Sequence, residues 1–365
     1  MSKRATLVLV CLLSLLSNNV FSKGTTRDFN VVFINPGHPN NNPTGNFWLH
    51  VSQFMQAAAH DLNIELTTLY ASRNHILMKT LIDTIINDPP DYIMLVNEKD
   101  VAINLIKKIT SHNIPVFMLL NNVSTQEQLA LSPKQRKLIY GSVVPNNYQV
   151  GQRLLSKLIE KHQQRLQKQQ KSLSLLALQG DYITPASIAR KKGLLDSIPK
   201  YGSLNFIDSS VANWSKNQAY QKVKGLLKRN HIDLIWAAND PMAFGAKQAV
   251  EEANLDYPVI IGGINWDLED PHYPVDISYG GHVTLGVKAL SMLKDIHYGK
   301  LSLYKRHQVI DIFTPSDSPF YQAYIQRANQ GLIEYYDFSR FSLTAEQSYL
   351  PFSIENLHKV FSTHQ

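Results

Sequence analysis

From residue 29 onward, short apolar runs alternate with segments whose apolar residues recur at three- and four-residue spacing. The runs at 29–34, 64–70, 92–96 and 115–120 are five to seven residues long and rich in Val, Ile, Leu and aromatics, which predicts buried strands. Between them the pattern predicts helices over about 47–62, 74–87 and 99–112, with Pro89, Pro90 and Pro115 as punctuation. A second series repeats the scheme, with strands at 138–141, 173–178, 204–208, 234–237 and 259–262 and helices over about 146–168, 186–198, 215–229 and 241–253. Alternating βα units imply parallel sheets covered by helices on both faces, and two series imply an α/β fold of two doubly wound lobes. The stretch 275–313 reads as strand, helix (about 283–298) and strand, too short for a third lobe. We read it as the chain crossing back to complete both sheets. The expected division is a first lobe of 28–137 plus 280–306 and a second of 138–279 plus 307–318. A tail rich in Tyr, Phe and Ser, 319–365, with one helix near 320–332, is expected to pack on the outside of the lobes.

The first 22 residues break the pattern. Lys3 and Arg4 precede a nearly unbroken apolar run over 5–16, and Val20-Phe21-Ser22 supplies a compact −3 and a small −1 residue. That is the layout of a cleaved secretory signal peptide and points to a periplasm. Cleavage after Ser22 leaves 343 of the 365 residues, lowers the formal charge from +7 to +5 and removes Cys11, the one cysteine. A chain with one cysteine has no intrachain disulfide framework and no Cys-rich metal centre. With 44% hydrophobic and 18% charged residues the composition is that of a folded globular protein.

Catalytic signatures are missing: the chain has no GxSxG elbow, phosphate-binding GxxxxGK[ST] loop, HExxH or GxGxxG. The 13 histidines are scattered, so neither a metal nor another cofactor is expected. The basic segment 157–171 lacks interleaved aromatics and reads as a solvated helix face, which argues against a nucleic-acid partner.

The informative residues stand at the C-terminal ends of the predicted strands, where doubly wound sheets bind ligands. Asn35 ends the first strand, and Phe47-Trp48 opens the next helix, where either ring stacks on a sugar's C–H face or packs the helix onto the sheet. Asn97 follows the third strand and Asn122 the fourth. Their amides offer donors and acceptors to a hydroxyl-rich ligand, or serve as caps. In the second series Tyr182 lies in the loop after a strand, and Arg190 presents a planar fork able to hold two oxygens. Trp214 offers a second aromatic wall. Asn239 and Asp240 end another strand, Asp240 also being a candidate helix cap. Asn265 ends the glycine-containing strand after Gly262-Gly263, and His282 follows Gly280-Gly281 at the crossover.

The segment AANDPMAFGAKQAV, 237–250, closely resembles the matching part of type I periplasmic binding proteins of the ribose/galactose kind. The leader, an arginine three residues before Gly193 and the strand end IIGGIN agree in order and spacing over about 28–315. The resemblance implies two α/β lobes joined by three hinge strands, closing on a small ligand, with Trp48, Asn122, Arg190, Trp214, Asp240 and Asn265 lining the cleft. A narrower resemblance, through NPG…FW and GDYIT, is to periplasmic receptors of furanosyl borate signals. This chain departs from them with Tyr279-Gly280 where a borate-gripping arginine stands, and with Asn265 where the wider family carries aspartate. The expectation is a non-enzymatic, monomeric periplasmic protein that captures a small carbohydrate-like ligand and presents it to an inner-membrane ABC transporter. The alternative is a sensing subunit that signals through a membrane histidine kinase or cyclase.

Overall fold

The computed structural model describes residues 27–40, 44–166, 172–267 and 272–361; the expected leader, 1–22, lies outside them. The first series forms β1 (Asn30–Asn35), α1 (Phe47–Asp61), β2 (Glu65–Tyr70), α2 (His75–Ile85), β3 (Tyr92–Leu95), α3 (Ala102–Ser111) and β4 (Val116–Leu119). Two short helices, α4 (Thr125–Gln128) and α5 (Pro133–Lys137), precede β5 (Ile139–Pro145). These helices escape hydrophobic periodicity because each is about a turn long. Capping boxes, Ser124 with Glu127 and Ser132 with Gln135, define them instead. The second series forms α6 (Asn147–Leu166), β6 (Leu173–Gln179), α7 (Pro185–Ser197), β7 (Leu204–Val211) and α8 (Lys216–Leu227). It continues through β8 (Leu234–Ala237), α9 (Asp240–Ala253), β9 (Ile260–Ile264) and β10 (Ile277–Gly280). The chain ends in α10 (Leu285–His297), β11 (His307–Ile310), β12 (Thr314–Pro315), α11 (Pro319–Asn329) and α12 (Ile354–Lys359), with short 3-10 turns between the last two.

The strands assemble into two six-stranded sheets, β11-β5-β4-β3-β1-β2 and β12-β10-β9-β8-β6-β7. All pairings are parallel except β10 with β12. Every residue of β3, β4 and β8 is buried, which is why these strands read as continuous apolar runs and not as alternating ones. Helix α3 buries one stripe, with Ala102, Leu105, Ile106 and Ile109, whereas α10 is buried almost all round.

Two strands join a different sheet from the expected one. β5, expected in the second lobe, pairs with β4, and β11 pairs with β5, so residues 139–145 and 307–310 belong to the first sheet. The chain leaves that sheet only at Pro145 and starts α6 two residues later. It crosses back between β10 and α10, and again between β11 and β12. The tail also goes deeper than a surface covering. Phe338 and Phe341 are fully buried in the core cluster that holds Phe54 of α1 and Leu290 of α10. Asp61 accepts from Phe338 N at 2.9 Å, and Asp295 accepts from Ser342 Oγ at 2.6 Å and Leu343 N at 2.8 Å. The basic face of α6 is tied down by ion pairs at the surface, with Lys157 and Lys161 on Asp317 and Arg165 on Asp276.

Candidate functional site

Strand order reverses between β1 and β3 in the first sheet and between β6 and β8 in the second. These are the topological switch points at which open α/β sheets bind ligands. The loops after the strands meet across a cleft between the lobes.

The first lobe supplies aromatic area. Phe47 and Trp48 line the cleft at the start of α1, their rings edge-to-face at 5.1 Å. Trp48 lies against Gly37, where an added Cβ would sit 2.3 Å from the tryptophan's own Cβ. Across the cleft stands Trp214, in left-handed backbone (φ 62°) and 9% exposed. Its ring covers Gly180, with 2.3 Å to an added Cβ, and its Nε1 donates to Asp181 Oδ2 at 2.8 Å. Burial works against the Asp181 charge. Hydrogen bonds from Thr184, Trp214 and Ile183 nonetheless hold its pKa below the ordinary value, so the bond to Trp214 is charge-assisted.

The polar centre is Arg190, 4% exposed. Its Nε donates to Asn147 Oδ1 (2.9 Å), Nη1 to Ala238 O (2.6 Å) and Nη2 to His282 Nε2 (3.2 Å). Three of its five N–H groups are thus committed, which leaves two on a side chain that lines the cleft. Its position follows from close helix packing. A Cβ on Gly193 would come within 1.9 Å of Tyr148 O, and one on Gly151 within 2.1 Å of Arg190 O, so α6 and α7 touch backbone to backbone. Burial lowers the Arg190 pKa to about 9, partly offset by Asp240, which leaves it charged at neutral pH. Burial and then the Arg190 charge push His282 well below its ordinary value. His282 is therefore neutral, its Nε2 accepts from Arg190, and its proton sits on Nδ1, a buried atom with no partner among the described residues. The His282 ring stacks on Phe47 at 4.6 Å.

Seven of the twelve candidate residues meet in the cleft: Phe47, Trp48, Arg190, Trp214, Asn239, Asn265 and His282. Five do not line it. Asn35 ties β1 to α1, donating to Trp48 O and Ser52 Oγ and accepting from Gly37 N. Asn97 accepts from Ala102 N and donates to Asn122 O, while Asn122 donates to Ser142 Oγ. Tyr182 is 71% exposed. Asp240 is fully buried, accepting from Ser278 Oγ and Asp267 N. The cap of α9 is Asn239, whose Oδ1 accepts from Met242 N.

The cleft also holds residues outside the twelve. Arg73, at φ 56° in the turn after β2, reaches Glu98 Oε1 at 2.9 Å; burial raises the Glu98 pKa, and Arg73 opposes that rise. Asn147, the first residue of α6, had one readable signal, its place directly after a strand that leaves the sheet. Asn121 links the lobes. Thr184 caps α7 without a side-chain bond, and Asn121 Oδ1 of the first lobe accepts from Ala186 N of that helix at 3.1 Å. Opening the cleft breaks this bond, so Asn121→Ala is expected to enlarge the ligand-free molecule in small-angle scattering. Losing a cap worth about 1 kcal/mol corresponds to roughly a fivefold loss of closed population. An unchanged scattering profile would rule the latch out.

The family model for the periplasmic binding protein domain matches residues 38–270. The D-apiose import binding protein of Paraburkholderia graminis is 26% identical over 243 residues, 66% of this chain and 70% of that one. The fructose import binding protein of Bifidobacterium longum is 27% identical over 221 residues, 58% of this chain and 62% of that one, so the match spans less than two thirds of it. A crystal structure of a periplasmic sugar-binding protein from Pseudomonas fluorescens superposes with a TM-score of 0.79 at 28% identity, covering 90% of this chain and 99% of that one. With two largely parallel sheets, three crossings and a cleft at both switch points, the chain belongs to the periplasmic binding protein family and has its type I, two-lobe α/β fold.

Proposed function

We propose that the protein is a periplasmic sugar-binding component of an ABC importer, holding a monosaccharide between its lobes. The observation that carries this reading is the pairing of two aromatic walls, Trp48 and Trp214, with a buried Arg190 that keeps uncommitted donors in the cleft. Flat rings suit the C–H faces of a pyranose or furanose. The remaining Arg190 N–H groups and the His282 Nδ1–H suit its hydroxyl oxygens. Asn265, Asn147 and the Arg73–Glu98 pair add donors and acceptors on both sides. A ligand that touches both lobes only when they are closed drives closure by its differential affinity, and the closed form is what a membrane permease would select. The relatives with import binding in their names favour transport over the sensing alternative. Binding, not turnover, is the activity proposed.

A thermal-shift panel tests this with D-apiose, D-fructose, D-ribose, L-arabinose, D-galactose and D-allose. At least one sugar is expected to stabilise the protein by about 2.7 kcal/mol at a hundred times its Kd. A panel of these and related sugars with no shift would refute the proposal.

A further inference from the structure

A second, smaller cavity lies on the far side of the Asn265–Trp266 dipeptide from the cleft. Asn265 lines the cleft and Trp266 lines this cavity. Trp266 holds left-handed backbone at φ 60°, an outlier for a bulky residue. Its ring has room only because position 280 is glycine, where a Cβ would fall 2.1 Å from Trp266 Cγ. Strain of this kind persists only where surrounding structure enforces it, and it gathers at ligand sites.

The indole is 2% exposed, and its Nε1–H has no hydrogen-bond partner among the described residues. An unpaired buried donor is costly. The walls are apolar and mostly aromatic, with Phe54, Tyr324 and Tyr336 among them, and Tyr324 lies 5.4 Å from the Trp266 ring. Arg327 stands at the same cavity, its guanidinium 3.8 Å from the Phe361 ring centre and donating to Tyr336 Oη at 3.2 Å. None of the described lining residues is acidic. His358 is kept below its ordinary pKa by burial and then by Arg327, so at neutral pH Arg327 carries the charge of the described lining alone.

We propose that this cavity is a second ligand site, for a small organic carboxylate with an apolar body. The Trp266 N–H and Arg327 supply donors to the acceptor-only carboxylate, and the aromatic walls take the body. A water would satisfy the indole but would leave the apolar walls and the cation unmatched. Much of the wall comes from Tyr324, Arg327, Tyr336, Leu357 and His358, beyond residue 270 where the family match stops. The site is therefore a property of this chain's tail and is independent of the sugar reading of the cleft.

Calorimetry with benzoate as the probe tests it on the full mature chain. Benzoate is expected to bind saturably, one per chain, and uncharged benzamide at least tenfold more weakly. Leu357→Trp, which fills the cavity, should abolish benzoate binding, and Arg327→Gln, on a partly exposed side chain, should weaken it at least tenfold. Absence of saturable binding to the unaltered chain overturns the proposal, as does equal binding of benzamide. Binding that survives in both variants places benzoate elsewhere, the cleft included, and overturns it too.

Discussion

Replacing Arg190 by alanine is expected to cost at least about a hundredfold in affinity for whichever sugar gives the largest shift in the panel, since hydrogen bonds to charged groups contribute about 1.5–3 kcal/mol each. Stability should fall as well, by about 3–5 kcal/mol. The guanidinium binds Asn147 from α6, Ala238 O from the end of β8 and His282 from a crossing, so its removal leaves three buried acceptors without a donor. Arg190→Lys keeps the charge but not the planar fork, and should lose most of the affinity with a smaller loss of stability. Titration calorimetry and urea denaturation separate the two effects. Unaltered affinity in a folded Arg190→Ala protein would place the ligand away from this arginine.

The second large effect concerns pH. Asp240 and Asp267 are both buried behind the cleft, and Asp240 Oδ2 accepts from Asp267 N at 3.0 Å. Burial pushes Asp267 up to about 7, and burial together with the Asp267 charge holds Asp240 well above the ordinary carboxylate range. A folded pKa above the unfolded value means that the folded state binds more protons between the two. For Asp267 stability therefore declines as pH rises from about 4 to about 7, and its share of the penalty is complete above that window. Asp267→Asn removes one acid while its side-chain oxygen still accepts from Asn265 Nδ2, a bond of 3.2 Å in the native protein. The variant should match the parent near pH 4 and exceed it at pH 8, by at most about 4 kcal/mol at 1.36 kcal/mol per pKa unit. Losing the Asp267 charge also removes one of the two causes that hold Asp240 high, while the Arg190 charge still favours its ionised form. Denaturation midpoints at pH 4, 6 and 8 measure the difference, and a variant weaker than the parent at pH 8 would show that the Asp267 charge stabilises the fold.

The alternation of strand and helix was legible because strands buried on both faces leave uninterrupted apolar runs, as in Tyr92–Leu95 and Leu234–Ala237. Sheet membership was not. The run at 138–141 carries no mark of its neighbour, and only its pairing with β4, Val116 with Ile139 and Phe117 with Gly141, assigns it to the first sheet. In the cleft, position at a strand end was readable but the direction of a side chain was not. Asn35, Asn97 and Asn122 stand where expected and spend their amides on nearby backbone and hydroxyl groups. Asp240 turns into the protein because Asn239 takes the cap and Ser278 offers a hydroxyl behind it. Arg73 reaches the site from a left-handed turn that no periodicity marks.

The three crossings also set the order in which the molecule is assembled. The second sheet lacks its edge until residues 314–315 exist. The first needs 307–310 for its own edge, and its core then takes in Phe338 and Phe341. Contacts so distant along the chain must wait for loop closure before they stabilise anything. A nascent chain thus has no complete lobe to fold until nearly all of it has been made, and the lobe synthesised first is the one finished last.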